Sequence, residues 1–467
     1  MPSEDPPGSF VSGPLLLHDA ALFTDLYELT MAAVYFRRHM HEPATFSLFV
    51  RRLPPERAFL IAAGLEDVLE FLRTFRFSQQ AIARLRSLSR FQSDFLDFLE
   101  NLSFTGDVHA MAEGTVLFAD EPLLEVTAPM IEAQIMETAL INFCHCQMLI
   151  TSKAVRSVIA ARGRPIAEFG LRRTPGTDAG MKSARSAFIA GCELTSNVLA
   201  GTEWAIPLTG TMAHSYVTAF PREADAFDAF AESFPDSTVL LLDSYDTIAA
   251  ARKAVDVARR LAAQGHRLAG VRLDSGDLVT LSRKVRDILD AAGFSDVQVV
   301  VSGGLDELAV EQLLSAGAPI DAFGIGTRLN VSADAPYLDM VYKLVSYAGR
   351  DVLKLSEGKE TWVGSKAVYR RRGSDGRFEG DLLALRDEPV PDGFEKSLLE
   401  PVMRAGHLLR PHPPLSQIRE HSAAQVASLP EELKKLRAAG EYPVRISGGL
   451  RGRQERAKEE TERTERA

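Results

Sequence analysis

The sequence predicts an α/β fold built around a parallel β/α barrel, and three observations carry that reading. Short β-branched runs alternate with amphipathic helical stretches through the middle of the 467-residue chain, and alternation of this kind argues for a parallel sheet. The markers Asp243, Asp274, Ser302 and Gly324, each at the end of a run, stand 31, 28 and 22 residues apart, the length of one βα unit. Six such runs in series favour a closed barrel over an open sheet, and every run ends in glycine or polar residues, where barrel enzymes keep their active sites.

Taken in order, residues 1–18 are acidic and proline-rich, with no basic stretch ahead of an apolar one. That pattern predicts disorder and argues against a secretory signal. An apolar pattern of helical period runs from Leu22 to Tyr35, with Thr24-Asp25 as its cap. ATFSLFVRRL (44–53) alternates as a strand does, helical segments follow to about Leu102, and 107–130 reads as short strands with turns. The barrel runs are RPIAEFG (164–170), IPLTGTMAHS (206–215), STVLLLDS (237–244), HRLAGVRLDSG (266–276), VQVVVSGG (297–304) and IDAFGIGT (320–327). After Pro336, DMVYKLVSYAG, RDVLKLSEG and GSKAVYRRRGSDGRF read as hairpin strands with Ser-Asp-Gly turns, either a return to the first domain or a small β module. The last residues, 446–467, are charged and almost free of large apolar side chains, which predicts a disordered tail.

Composition narrows the function. A net charge of −10 speaks against general affinity for nucleic acid or anionic lipid, so any phosphate must be held by a local basic pocket. No apolar run reaches the ~18 residues of a membrane span. Three cysteines are too few for a disulfide framework and fit a reducing cytoplasm. Cys144-His145-Cys146 lies inside an apolar helical stretch with no second ligand pair at zinc spacing, and reads as buried helix residues.

The run ends carry the chemistry. VSGG (301–304) and GIGTR (324–328) bring backbone N–H groups close to an anion and together read as a phosphate cradle at Ser302, Gly303, Gly304, Gly326 and Thr327. VRLDSGDL (271–278) places Arg272 and Asp274 on one strand face. Arg272 suits a carboxylate or phosphate. Asp274 and Asp277 suit Mg²⁺ or ribose hydroxyls, while Ser275 suits a helix cap. EFGLRRTPG (168–176) offers Arg172 and Arg173 as a polyanion clamp and Phe169 as a surface for a flat ring, against a simpler role in surface ion pairs. In GTMAHS (210–215), His214 follows a glycine turn and can act as a phosphate acceptor.

These motifs, in this order, resemble the nicotinate phosphoribosyltransferase family: TDLYELTMA (24–32), AAGLEDVLEFL (62–72), EFGLRR, SNVLAGTEW, GTMAHSYV, DSYDT, GVRLDSGDL, VSGGLDE, GIGTRL and VYKLV (341–345). The resemblance covers roughly residues 22 to 370. It implies an irregular barrel over 140–335 and an α/β sandwich domain from both chain ends, 19–139 plus 336–445. It implies transfer of phosphoribosyl from phosphoribosyl pyrophosphate to nicotinate, the first step of NAD synthesis from that base, coupled to ATP hydrolysis through a phosphohistidine at His214. It further implies that Tyr27, from a partner subunit of a homodimer, and Phe169 sandwich the pyridine ring. Thr211 and Arg272 would hold its carboxylate, Arg172 the pyrophosphate or base site, Asp274 the ribose or Mg²⁺, and Gly303, Gly304, Gly326 and Thr327 the 5′-phosphate. Two rivals remain at this point. One is nicotinamide phosphoribosyltransferase on the same fold, where an amide would want an acceptor instead of cations. The other is a catalytically silent sensor of phosphoribosyl pyrophosphate, which needs no phosphorylatable histidine.

Overall fold

The computed structural model describes residues 19–356, 361–437 and 440–466. The chain divides into two compact units: residues up to Ser152 with those from Tyr337 on, and Lys153–Pro336 between them. The first boundary falls later than the expected 139/140, within the 25-residue helix Glu137–Ala161. An uninterrupted helix has no composition shift to mark a domain edge. The expected disorder of 1–18 lies outside the described residues. No described helix is long and apolar enough to cross a membrane.

The middle unit carries six parallel strands. In spatial order they are Leu194–Thr195, Ile166–Glu168, Ala322–Ile325, Gln298–Val301, Gly270–Leu273 and Val239–Leu241. The first strand of the unit pairs with the last, Phe323 opposite Ile166 and Ile325 opposite Glu168, which is how a barrel closes on itself. The order is otherwise that of the chain, with one seam. At one edge Thr195 bridges Leu208 in parallel, its N–H donating to Pro207 O and its carbonyl accepting from Thr209 N–H, both at 3.0 Å. Among the described residues no ladder joins this edge to Val239–Leu241. This is the irregularity of the barrel.

Two sequence expectations are corrected here. Of IPLTGTMAHS, residues 206–213 are a loop with a single bridge instead of a strand, because Pro207 has no N–H to give to a ladder, and the last two residues begin a helix. Between Ile166–Glu168 and that bridge stands the strand Leu194–Thr195, two residues long and too short for a period to show. The predicted helices stand at Thr247–Ala263, Leu278–Ala291 and Glu307–Ser315. Each is capped by an aspartate whose side chain accepts an N–H three residues on: Asp246, Asp277 and Asp306. The cap of the second is therefore Asp277 and not Ser275, whose hydroxyl donates to Asp243 at 2.5 Å.

The other unit interleaves both chain ends in one antiparallel sheet. Its order is Arg350–Asp351, Met340–Tyr347, Pro43–Val50, Pro122–Pro129, Asp107–Ala110, Glu400–Arg404 and His407–Leu408. Helices Leu65–Thr74, Gln79–Ser87 and Ser93–Glu100 share its apolar core, with Phe46, Leu48, Leu72 and Leu96 at most 2 % exposed. Of RDVLKLSEG only Arg350–Asp351 is strand, and its last two residues lie outside the described ones. Lys366–Arg372 and Phe378–Leu385 form the hairpin across the predicted Ser-Asp-Gly turn. His145 accepts the Leu338 N–H at 2.9 Å, and burial lowers its pKa, so it serves as a neutral acceptor. Cys144 is buried and Cys146 half-buried on the same helix.

The expected disordered tail is instead ordered. Val444–Ile446 adds in parallel to Phe378–Leu385, and Gly448–Arg466 is a helix. Leu450, Gln454 and Ala457 are its buried residues, on one helical face. Ser447 Oγ accepts the Leu450 N–H, Arg453 grips Asp351 at 2.7 and 2.8 Å, and the Gln454 amide joins Val363 N–H and Thr361 O. Three well-placed contacts anchor a stretch whose average composition looks unable to fold.

Candidate active site

The carboxyl ends of five of the six strands, with the 210–215 segment, surround a cavity of about 620 Å³ lined only by residues of the middle unit. Its cationic side chains are Arg172, Arg173 and Arg272, and its one carboxylate is Asp274. A chain with a net charge of −10 has thus gathered three guanidinium groups in one concavity, the local basic pocket that an anionic ligand requires.

Arg272 comes from the end of Gly270–Leu273 and spans the barrel seam. Its Nη1 donates to Thr211 Oγ1 at 2.7 Å and its Nη2 to Met212 O at 2.9 Å. Its Nε is buried with no hydrogen-bond partner. Burial pulls its pKa below the ordinary arginine value; Asp274 and Asp243 oppose that pull and Arg172 adds to it. A desolvated cation with an unused donor is a site for an anion.

His214 opens the short helix His214–Thr218 on the same side of the seam. Its Nδ1 lies 3.0 Å from Ser244 Oγ, across the seam, which leaves Nε2 for chemistry. Seam and site are therefore one feature. Where backbone pairing stops, Arg272 and His214 supply the cross-links through side chains that also line the cavity.

The opposite wall is built around Phe169, whose N–H donates to Ile325 O at 2.8 Å. A Cβ on Gly324 would lie 2.6 Å from the Phe169 ring, so that glycine is what lets the ring lie against the neighbouring strand. Arg172 and Arg173 follow on a single 3-10 turn, and Arg173 Nη1 reaches Thr327 Oγ1 at 3.2 Å. Between the walls, Ser302 donates to an Asp274 oxygen, and the Asp274 N–H donates to Asp243 Oδ2 at 3.2 Å. Gly303 has φ +92°, and a Cβ there would collide with Asp274 O at 1.7 Å. The glycine cluster thus first serves close backbone packing, which then leaves Ser302, Gly303 and Gly304 on the lining with Gly326 and Thr327.

The structure gathers Phe169, Arg172, Thr211, His214, Arg272, Asp274, Ser302, Gly303, Gly304, Gly326 and Thr327 around this cavity. It does not bring in Asp277, which is exposed and caps the Thr280 N–H and hydroxyl. Tyr27 belongs to the other unit, on helix Leu26–Arg37, with 48 % of its surface exposed. Burial of its hydroxyl, then the carboxylates of Glu137, Glu28 and Asp25, push its pKa up. Sequence reasoning missed Ser244 and Asp243 as site residues, although both sit in the DSYDT motif at a run end, and it missed Ser196 on the lining.

Comparison with known proteins identifies the family. Three family models match: the nicotinate phosphoribosyltransferase N-terminal domain over 22–145, the nicotinate phosphoribosyltransferase family over 165–371 and the C-terminal domain over 394–452. A nicotinate phosphoribosyltransferase of Mycobacterium tuberculosis is 47% identical over 439 residues, covering 93% of this chain and 93% of the relative. The chain belongs to the nicotinate phosphoribosyltransferase family. Its Bacillus subtilis relative of the same name is 39% identical, with 91% of this chain and 93% of the relative covered. The solved structure of human nicotinic acid phosphoribosyltransferase superimposes with a TM-score of 0.83 at 31% identity, over 93% of this chain and 99% of that one. The family match over 165–371 takes in the whole cavity wall from Phe169 to Thr327.

Proposed function

We propose that this enzyme transfers phosphoribosyl from phosphoribosyl pyrophosphate to nicotinate, coupled to ATP hydrolysis through phosphorylated His214. The single observation that carries the choice of base is Arg272, a half-buried guanidinium whose Nε is buried without a partner while its Nη1 holds the Thr211 hydroxyl. A carboxylate satisfies it, whereas the amide of nicotinamide brings no charge. Phe169 offers a flat face for the pyridine ring. Arg172, Arg173 and the backbone at 302–304 and 326–327 surround the phosphates.

In the transfer, the pyridine nitrogen forms a bond to the anomeric carbon while the bond from that carbon to pyrophosphate oxygen breaks. The charge leaving with pyrophosphate falls beside Arg172 and Arg173, which is where stabilisation is needed. In the coupled step, His214 Nε2 attacks the γ-phosphorus of ATP, the bond to ADP breaks, and water later takes the phosphoryl group as inorganic phosphate. Ser244 holds Nδ1 throughout, so the reactive nitrogen stays turned to the cavity.

Magnesium fits the donor set. Among the described residues no cluster of three His, Cys, Asp or Glu side chains is placed to bind a metal alone. Asp274 on the lining and Asp243, with one buried oxygen unpartnered, offer hard oxygen donors. Mg²⁺ typically takes one or two carboxylates together with substrate phosphates. Bound there, it would offset the charge of the pyrophosphate. We include in the proposal a cytoplasmic homodimer in which the partner's Tyr27 completes the base site; Tyr27, 48 % exposed and not among the residues that line the cavity, supports that reading.

The test is product formation by the purified protein with nicotinate or nicotinamide, each with and without ATP. Nicotinate mononucleotide formed faster with ATP is expected. Preference for nicotinamide, or binding of phosphoribosyl pyrophosphate with no product from either base, would replace the reading with one of its rivals.

A further inference from the structure

One buried side chain bonds to three segments that carry residues of the cavity lining. Glu168, 1 % exposed, ends the strand Ile166–Glu168 just before Phe169. Its Oε1 accepts the Gly170 N–H at 2.5 Å and the Asn330 amide at 2.9 Å, and its Oε2 accepts the Thr195 hydroxyl at 2.7 Å. Gly170 belongs to the loop that presents Phe169, Arg172 and Arg173. Asn330 closes the short helix Thr327–Asn330 that begins at the expected phosphate cradle. Thr195 precedes Ser196 on the lining, and its oxygen also accepts the Asn197 N–H at 3.1 Å. The Asn330 amide further donates to Thr174 Oγ1 at 2.8 Å, so it pins both ends of the arginine turn. There is no slack in this cluster: a Cβ on Gly170 would lie 2.2 Å from Asn330 Cγ.

We propose that Glu168 is the positioning residue of this site, holding the Phe169–Arg173 loop, the Ser196 loop and the Thr327 loop at the separation that phosphoribosyl pyrophosphate and the base require. It contacts no substrate itself. An ionised carboxylate is the one side-chain group here with lone pairs for all three donors and no hydrogen of its own to point at them. Glutamine keeps the size but turns an NH₂ toward at least one donor, leaving it buried and unpaired. The walls then relax apart, and binding weakens at both subsites together.

The proposal rests on the function argued above, and its test separates the two. Wild-type enzyme, Glu168→Gln and Thr195→Val are compared in steady-state rates with varied nicotinate and phosphoribosyl pyrophosphate, in calorimetric titration with pyrophosphate, and in melting temperature. Glu223→Gln serves as control, since Glu223 is also buried in this unit but pairs with Lys253 away from the cavity. For Glu168→Gln, both KM values and the pyrophosphate Kd should rise about tenfold or more, with a smaller change in kcat, as one unpaired buried donor implies. Thr195→Val, which removes one donor and keeps the shape, should show a smaller rise of the same sign even where the glutamine variant fails to fold. Glu223→Gln should lower the melting temperature and leave every KM in place. Unchanged KM and Kd in folded Glu168→Gln, or in Thr195→Val, would overturn the positioning role. A wild type inactive on nicotinate, whose pyrophosphate affinity still depends on Glu168, would sink the function and leave the positioning role standing.

Discussion

Replacing Arg272 with alanine tests the base site most sharply, because the structure gives that side chain two separable duties. It ties the 211–212 segment across the barrel seam through two hydrogen bonds, and it holds a buried charge with one donor unused. A hydrogen bond from a charged donor is worth about 1.5–3 kcal/mol, so removing the guanidinium with its one unused donor costs the carboxylate about 1.5–3 kcal/mol in the transition state. At ~1.4 kcal/mol per tenfold, that lowers kcat/KM for nicotinate by about 10- to 100-fold. Nicotinamide is the internal reference, since it fills the ring site with no carboxylate. Its turnover should change only by what the loosened 211–214 segment costs, and the nicotinate-to-nicotinamide ratio should collapse. Steady-state rates with both bases, beside a melting curve, give the comparison. An unchanged ratio in a folded Arg272→Ala enzyme would remove Arg272 from the base site and leave it only the seam.

Three further outcomes follow from the same geometry. Gly324→Ala places a Cβ 2.6 Å from the Phe169 ring; overpacking of this kind costs about 1–3 kcal/mol, so KM for nicotinate should rise, and an unaltered KM would show that the ring is not part of the site. Mixing inactive Tyr27→Ala and Arg272→Ala chains should restore activity through hybrid dimers with one intact site each, and activity that stays absent after subunit exchange would place the whole site in one chain. Burial, partly countered by its bonds from Thr138 and Thr24 and reinforced by Glu137, raises the Glu28 carboxyl from 4.5 to about 7. Between those values the folded chain keeps a proton that the unfolded chain releases, so stability should fall as pH rises through that window; Glu28→Gln should flatten the fall in melting temperature, and an equal slope in both proteins would contradict the assignment.

The parts of the molecule that follow local rules were legible in the sequence. The helices Thr247–Ala263, Leu278–Ala291 and Glu307–Ser315 announce themselves by period and by aspartate caps, and the polar strand ends of a barrel converge by construction. What escaped was set by tertiary context. Asp277 shares a motif with Asp274, yet it obeys the capping rule of its neighbours Asp246 and Asp306 and turns away from the cavity. Leu194–Thr195 is too short to show alternation, and only Leu208 of the 206–215 segment bridges to it. Ser244 and Glu168 act through contacts with residues 30 and 162 positions away, which no window of sequence displays. The C-terminal helix is held by Leu450, Arg453 and Gln454, too few residues to move a composition average.

The most direct test of the account is to follow ATP hydrolysis and nicotinate mononucleotide formation side by side in wild type and His214→Ala. The arginines, Phe169 and the glycine loops do not depend on the imidazole, whereas a phosphoryl acceptor does. Wild type is expected to carry acid-labile, base-stable phosphate from labelled ATP and to couple it to product. Folded His214→Ala should lose both the label and ATP hydrolysis, yet still make product slowly without ATP. Label persisting on the His214→Ala protein would rule out His214 as the phosphoryl acceptor.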